Sequence, residues 1–153
     1  MTIDSFLGKL LEHCGLDPSD IKVEIMDGES VLSVLLQLPE NESGAVIGFH
    51  GEVLDSIQRI LRVVFASEYE NQKIVLDLNN YRQQRSEKLK QLTIDVAQKV
   101  LQSGQPYTFR SFLPSYERFI VHSTLAESGD FKELESISSG EGRMRRLTIQ
   151  AKS

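Results

Sequence analysis

The chain has 153 residues, 40% of them hydrophobic and 25% charged, a balance that supports folded cores and excludes wholesale disorder. Its formal net charge of -5 argues against nucleic acid as a partner only on average, because residues 1–80 hold 5 Lys and Arg against 14 Asp and Glu, while residues 81–153 hold 12 against 8. One cysteine, three histidines and no long apolar run leave no disulfide, no Cys-rich zinc site, no signal peptide and no membrane span, so neither metal nor cofactor is expected and the cytoplasm is the expected compartment.

Ile3, Phe6, Leu7, Leu10 and Leu11 recur at helical spacing within residues 2–15, and Gly15 offers a C-cap. IKVEIMDGESVLSVLLQL carries two Val-, Ile- and Leu-rich runs around Asp27-Gly28, the dipeptide favoured by type I′ turns, and predicts a β-hairpin that ends near Pro39. A short apolar helix, a break flanked by glycines and a long helix follow, the last from the period of Val53, Leu54, Ile57, Ile60, Leu61, Val64 and Phe65. KIVLDLNN supplies a third strand, so the first half reads α-β-β-α-α-β.

The second half opens near Tyr81 with a long helix whose stripe is Leu89, Leu92, Val96 and Val100, closed at Gly104. Arg82 and Arg85 continue that stripe toward the amino terminus and emerge at the edge of the core. An extended run, YTFRSFL, leads to a helix over SYERFIVHSTLAES, with Ser115 as its cap and Gly129 as its stop. LESIS and RRLTIQAK, around Gly140 and Gly142, form a final hairpin. The expected fold is α+β, with modules at 1–79 and 80–153 joined tightly near Asn79-Asn80 and a small sheet packed on helices in the second.

Two constellations carry chemistry. In Gly48-Phe49-His50-Gly51 the glycines let backbone approach a phosphate, and the helix that follows points N–H groups at it. By itself this pattern is a common helix–helix turn. Arg118 and His122 stand four apart on one helix face, a planar fork of donors beside a titratable ring, which suits a phosphate. Alone, that pair is an ordinary solvated face.

In context, VIGFHGEVLDSIQRIL after two strands and before a third resembles the KH domain in its bacterial, type II form, in which this loop clamps a nucleic acid backbone. The resemblance implies a clamp of Gly48, Phe49, His50 and Gly51, with bases lying beside Ile47. Phe49 and His50 stand where such proteins often carry basic residues, and Glu52 and Asp55 follow, which predicts weak phosphate binding. FLPSYERFIVHSTL with SSGEGRMRRLTI resembles the R-three-H domain, over residues 81–151. The two in this order resemble bacterial Jag-type (KhpB) proteins, here without the usual additional amino-terminal domain.

The resemblance implies single-stranded RNA or DNA as the ligand, RNA first, a regulatory rather than catalytic role, and Arg118 and His122 as contacts. Arg82, Arg85, Arg110, Arg145 and Arg146 are the supporting basic residues, with Arg143 beside them. The alternative is a protein-interaction adaptor pairing with a small KH-domain protein or with itself. A nuclease using His50 or His122 as a general base lacks a carboxylate cluster, a Walker loop and a nucleophile motif.

Overall fold

All of residues 1–153 are described by the computed structural model, and the chain divides into two units, Met1–Arg82 and Gln83–Ser153. In the first, helix α1 (Ile3–His13) buries Ile3, Leu7 and Leu11 at four-residue spacing and ends at Gly15 with a left-handed φ of 96°. Strands β1 (Lys22–Asp27) and β2 (Val31–Gln37) pair antiparallel, from Lys22 opposite Gln37 to Asp27 opposite Leu32.

The hairpin turn differs from the expected type I′ turn at Asp27-Gly28. Gly28 N–H donates to the Val31 carbonyl at 3.0 Å, so Glu29 and Ser30 form the turn, and none of these residues has a positive φ. Gly28 serves close approach instead, since a Cβ there would lie 2.9 Å from the Val31 carbonyl oxygen.

Helices α2 (Glu40–Ile47) and α3 (Glu52–Val64) make the crossover to strand β3 (Lys73–Leu78), which runs parallel to β2. Leu32, Val34 and Leu36 of β2 and Ile74, Leu76 and Leu78 of β3 form the sheet's share of the core. The outer edge of β3 is covered by side chains: Arg62 Nε donates to the Ile74 carbonyl (2.9 Å), Arg82 Nε to the Leu76 carbonyl (3.2 Å), and Leu76 N–H donates to Gln58 Oε1 (2.9 Å). Such cover removes an edge that would otherwise recruit another strand. Asn79 and Asn80 both take left-handed backbone (φ 50° and 56°), and Asn79 bonds Leu38 N–H and C=O through its amide.

Helix α4 (Tyr81–Ser103) is closed by Gly104 at φ 68°. In the second unit it buries Leu89, Thr93, Val96, Ala97 and Val100, whereas Leu92, expected in the stripe, is 41% exposed. Thr93 tolerates that position because its hydroxyl donates to the Leu89 carbonyl at 2.7 Å. Strands β4 (Tyr107–Thr108), β5 (Leu134–Ser139) and β6 (Arg146–Ala151) form an antiparallel sheet in the order β4-β6-β5.

Helix α5 (Ser115–Glu127) lays Glu117, Val121 and Leu125 toward the core that holds Leu134, Leu147 and Ile149. Two expectations about its ends are corrected. Pro114, not Ser115, is the N-cap, and no side chain caps the helix; its carboxyl end is Ser128 in extended backbone, so Gly129 supplies no left-handed stop. The whole is an α+β fold of two three-stranded sheets with helices.

Candidate nucleic-acid interface

The first site is the loop between α2 and α3. Gly48 (φ 72°), His50 (φ 51°) and Gly51 (φ 84°) are all left-handed, so one non-glycine residue is held in a costly conformation there. A Cβ on Gly48 would run into Val53, and one on Gly51 would lie 3.2 Å from the Tyr81 ring. Phe49 is 56% exposed and meets the His50 ring edge-on at 4.1 Å between centroids. Ile47 is half-buried against the core.

Both acidic residues lie in the first turn of α3, as the sequence places them. The expected repulsion is softened, because Asp55 receives the Arg82 guanidinium at 2.7 Å. Arg82 also reaches the Leu76 carbonyl and Gln58, so its donors are turned to the first unit's own structure.

The second site is one face of α5. Arg118 Nη1 donates to the Leu113 carbonyl at 2.6 Å and Nη2 to Ser115 Oγ at 3.1 Å. These two bonds fix the guanidinium at the start of the helix and leave its other N–H donors without a protein acceptor. Four residues on, His122 Nδ1 bonds the hydroxyl of Ser136 on β5. When that hydroxyl donates, the ring's proton sits on Nε2, which then serves as an outward donor.

Burial and then the Arg118 charge hold the His122 imidazolium below the usual histidine pKa. The ring is therefore neutral at neutral pH, and an unperturbed histidine titrating toward pH 6, as the sequence suggests, is not what the fold provides. An open pocket of about 400 Å³ adjoins the ring, lined among others by Ala126, Lys132, Ser136 and Lys152.

The remaining basic residues divide. Arg85 gives Nε and Nη2 to the two oxygens of Glu117 at 2.8 and 3.1 Å. Arg110 is exposed on the segment after β4. Arg145 is half-buried, with Nε shielded and lacking a partner, beside exposed Arg143. Arg146 pairs across from Ser139 and, with Thr148 and Gln150, faces away from buried Leu147 and Ile149. His122 and Ser136 lie on the inner side, so the fold brings Arg118 and His122 together but not Arg146 with them.

Sequence reasoning missed Ser136, Lys132 and Lys152, which lie far along the chain from the Arg-x-x-x-His spacing and carry no local pattern. It also missed Phe119, which is 70% exposed on α5. Its signal was available: an aromatic residue lying outside the helix's apolar stripe.

Two α+β units, one with a left-handed Gly-x-x-Gly loop opening a helix and one with Arg and His on a helix packed on a sheet, define a KH domain followed by an R-three-H domain. The chain belongs over residues 4–78 to the family described as KhpA/KhpB, KH domain, and over residues 87–151 to the R-three-H domain family. It is similar to the RNA-binding protein KhpB of Bacillus subtilis (strain 168), with 30% identity over 137 residues, 88% of this chain and 62% of the relative. The RNA-binding protein KhpB of Clostridium symbiosum is 33% identical over 134 residues, 87% of this chain and 58% of that one. That of Streptococcus pneumoniae serotype 2 is 27% identical over 112 residues, 72% of this chain and 34% of the relative. The chain thus spans about three fifths of the length of the first two relatives. No helix is long and apolar enough to cross a membrane, and no three His, Cys, Asp or Glu side chains are grouped to hold a metal ion.

Proposed function

We propose that this chain binds single-stranded nucleic acid, RNA first, in the cytoplasm and without catalysis, with its main contacts in the second module. The observation that carries the reading is Arg118: a guanidinium fixed by two internal bonds, with donors to spare, one turn before a histidine that borders an open pocket. Charge-assisted bonds from such a fork suit a phosphate. The modules are assigned to residues 1–79 and 80–153, and the first, with Gly48, Phe49, His50 and Gly51 beside Glu52, is the weaker binder. Arg110, Arg145 and Arg146 add positive potential rather than defined contacts, and Arg82 and Arg85 serve mainly as structural ion-pair donors.

Titration of single-stranded RNA and DNA at two salt concentrations tests this. Arg118→Ala should weaken binding with little dependence on sequence and should shallow the log-log salt slope by about 0.7, as one lost phosphate contact does. Equal affinities for wild type and variant at both salts would overturn it.

A second reading concerns protein partners. Val53, Ile60 and Val64, at i, i+7 and i+11 on α3, are 41–42% exposed, and neighbouring Val63 is 78% exposed. An apolar stripe of this kind on a helix fits another KH surface, that of a small KH protein or of a second copy.

A further inference from the structure

We propose that Phe119 is the platform on which one unstacked base of the bound strand lies, so that this face of α5 selects single strands by stacking as well as by charge. The proposal rests on the nucleic-acid reading above and adds a residue to it. Phe119 is the most exposed aromatic side chain of the protein, at 70%. It belongs to neither hydrophobic core and makes no ring contact. Helix α5 holds its place through Val121 and Leu125, so folding does not explain a phenylalanine in water.

The position explains it better. An α-helix turns once in about 3.6 residues, so Phe119, His122 and Ala126, at i, i+3 and i+7, line up along one face. His122 and Ala126 border the pocket, which places the Phe119 ring at one end of the row that leads to it. Arg118 is the preceding residue, about 100° around the helix, with donors unused inside the protein.

The ligand that fits must offer an anion and a flat apolar surface side by side. A nucleotide with its base unstacked does so, and a base inside a duplex does not. Tyr116, one turn earlier and 41% exposed, extends the aromatic surface toward the helix start.

The chain contains no tryptophan, so Phe119→Trp creates a single reporter. The probe is a short single-stranded RNA of mixed sequence, compared with the same RNA annealed to its complement. Phe119→Ala and Phe119→Leu should each lose about 5- to 150-fold in affinity, the worth of one stacked base, with the salt slope unchanged. Phe119→Trp should keep its affinity and be quenched by the single strand more than by the duplex. If Phe119→Ala binds like wild type while Arg118→Ala binds worse, the stacking inference fails and the phosphate site stands. If neither variant differs from wild type, the nucleic-acid reading of this face fails with it. Quench-free saturation of Phe119→Trp, or a defect of Phe119→Ala confined to self-association, would also overturn the inference.

Discussion

Arg85 and Glu117 form a two-pronged ion pair between α4 and α5, 2.8 Å at Nε and 3.1 Å at Nη2, and the glutamate side chain is wholly buried. Glu117 directly precedes Arg118, so the pair seats the helix that carries the face proposed to bind phosphate. Removing Arg85 takes two charge-assisted hydrogen bonds from a buried carboxylate. Arg85→Ala should therefore lower the stability of the second unit by about 3 kcal/mol in urea unfolding, toward the low end for buried pairs because Arg85 retains some water contact. A loss under about 0.5 kcal/mol, the range of an ordinary surface change, would show that the pair is dispensable.

The loop at Gly48–Gly51 constrains how its role can be tested. Gly51 is left-handed at φ 84°, and a Cβ there would sit 3.2 Å from the Tyr81 ring. Gly51→Ala or Gly51→Asp should cost about 1–2 kcal/mol from backbone conformation alone, before any effect on a ligand. Phe49→Ala removes an exposed ring without that cost. We expect Phe49→Ala to keep the melting temperature of wild type and to reduce RNA affinity less than Arg118→Ala does. The reverse ranking, with both variants folded, would move the main contacts into the first module.

What was legible in the chain was what repeats. The stripe Ile3, Leu7, Leu11 and the alternation of Ile74, Leu76 and Leu78 each follow from a single period, and both elements fold as those periods dictate. The Arg118–His122 spacing was readable for the same reason. Long-range pairing was not: Asp55 lies 27 residues before Arg82, Glu117 lies 32 after Arg85, and Ser136 lies 14 after His122. Nothing local announces such partners, so two arginines expected at a ligand are found holding carboxylates. Thr93 in the core and Leu92 outside it show a further limit, since a hydroxyl that bonds its own helix competes for burial with a leucine one position away.

The exposed stripe of α3 makes its own prediction. Val63 is 78% exposed, so Val63→Glu should change stability by no more than about 0.5 kcal/mol. Wild type should associate with rising concentration in sedimentation velocity, and the variant should stay monomeric with its RNA affinity intact. A wild type that is monomeric throughout, alone and with a small KH-domain protein, would remove the partner reading.

His122 supplies the pH dependence. Burial and the neighbouring Arg118 charge hold its pKa below the ordinary value of 6.5 in the folded protein. Below about 6.5 the unfolded chain therefore binds more protons than the native state, so stability falls as pH drops from there toward the lowered native value. His122→Asn should flatten that part of the stability curve. A bound phosphate favours the imidazolium, so ligand should raise the His122 pKa, and affinity should rise on acidification as the ring becomes charged. That gain should lie at more acid pH than an unperturbed histidine would give. Histidine ring resonances followed by NMR, with His13 and His50 as internal comparisons, should place the free-state midpoint of His122 below 6.5 and shift it upward when single-stranded RNA is added. A midpoint at or above 6.5 in the free protein would contradict the burial argument, and a midpoint that RNA leaves unmoved would take His122 out of the phosphate site.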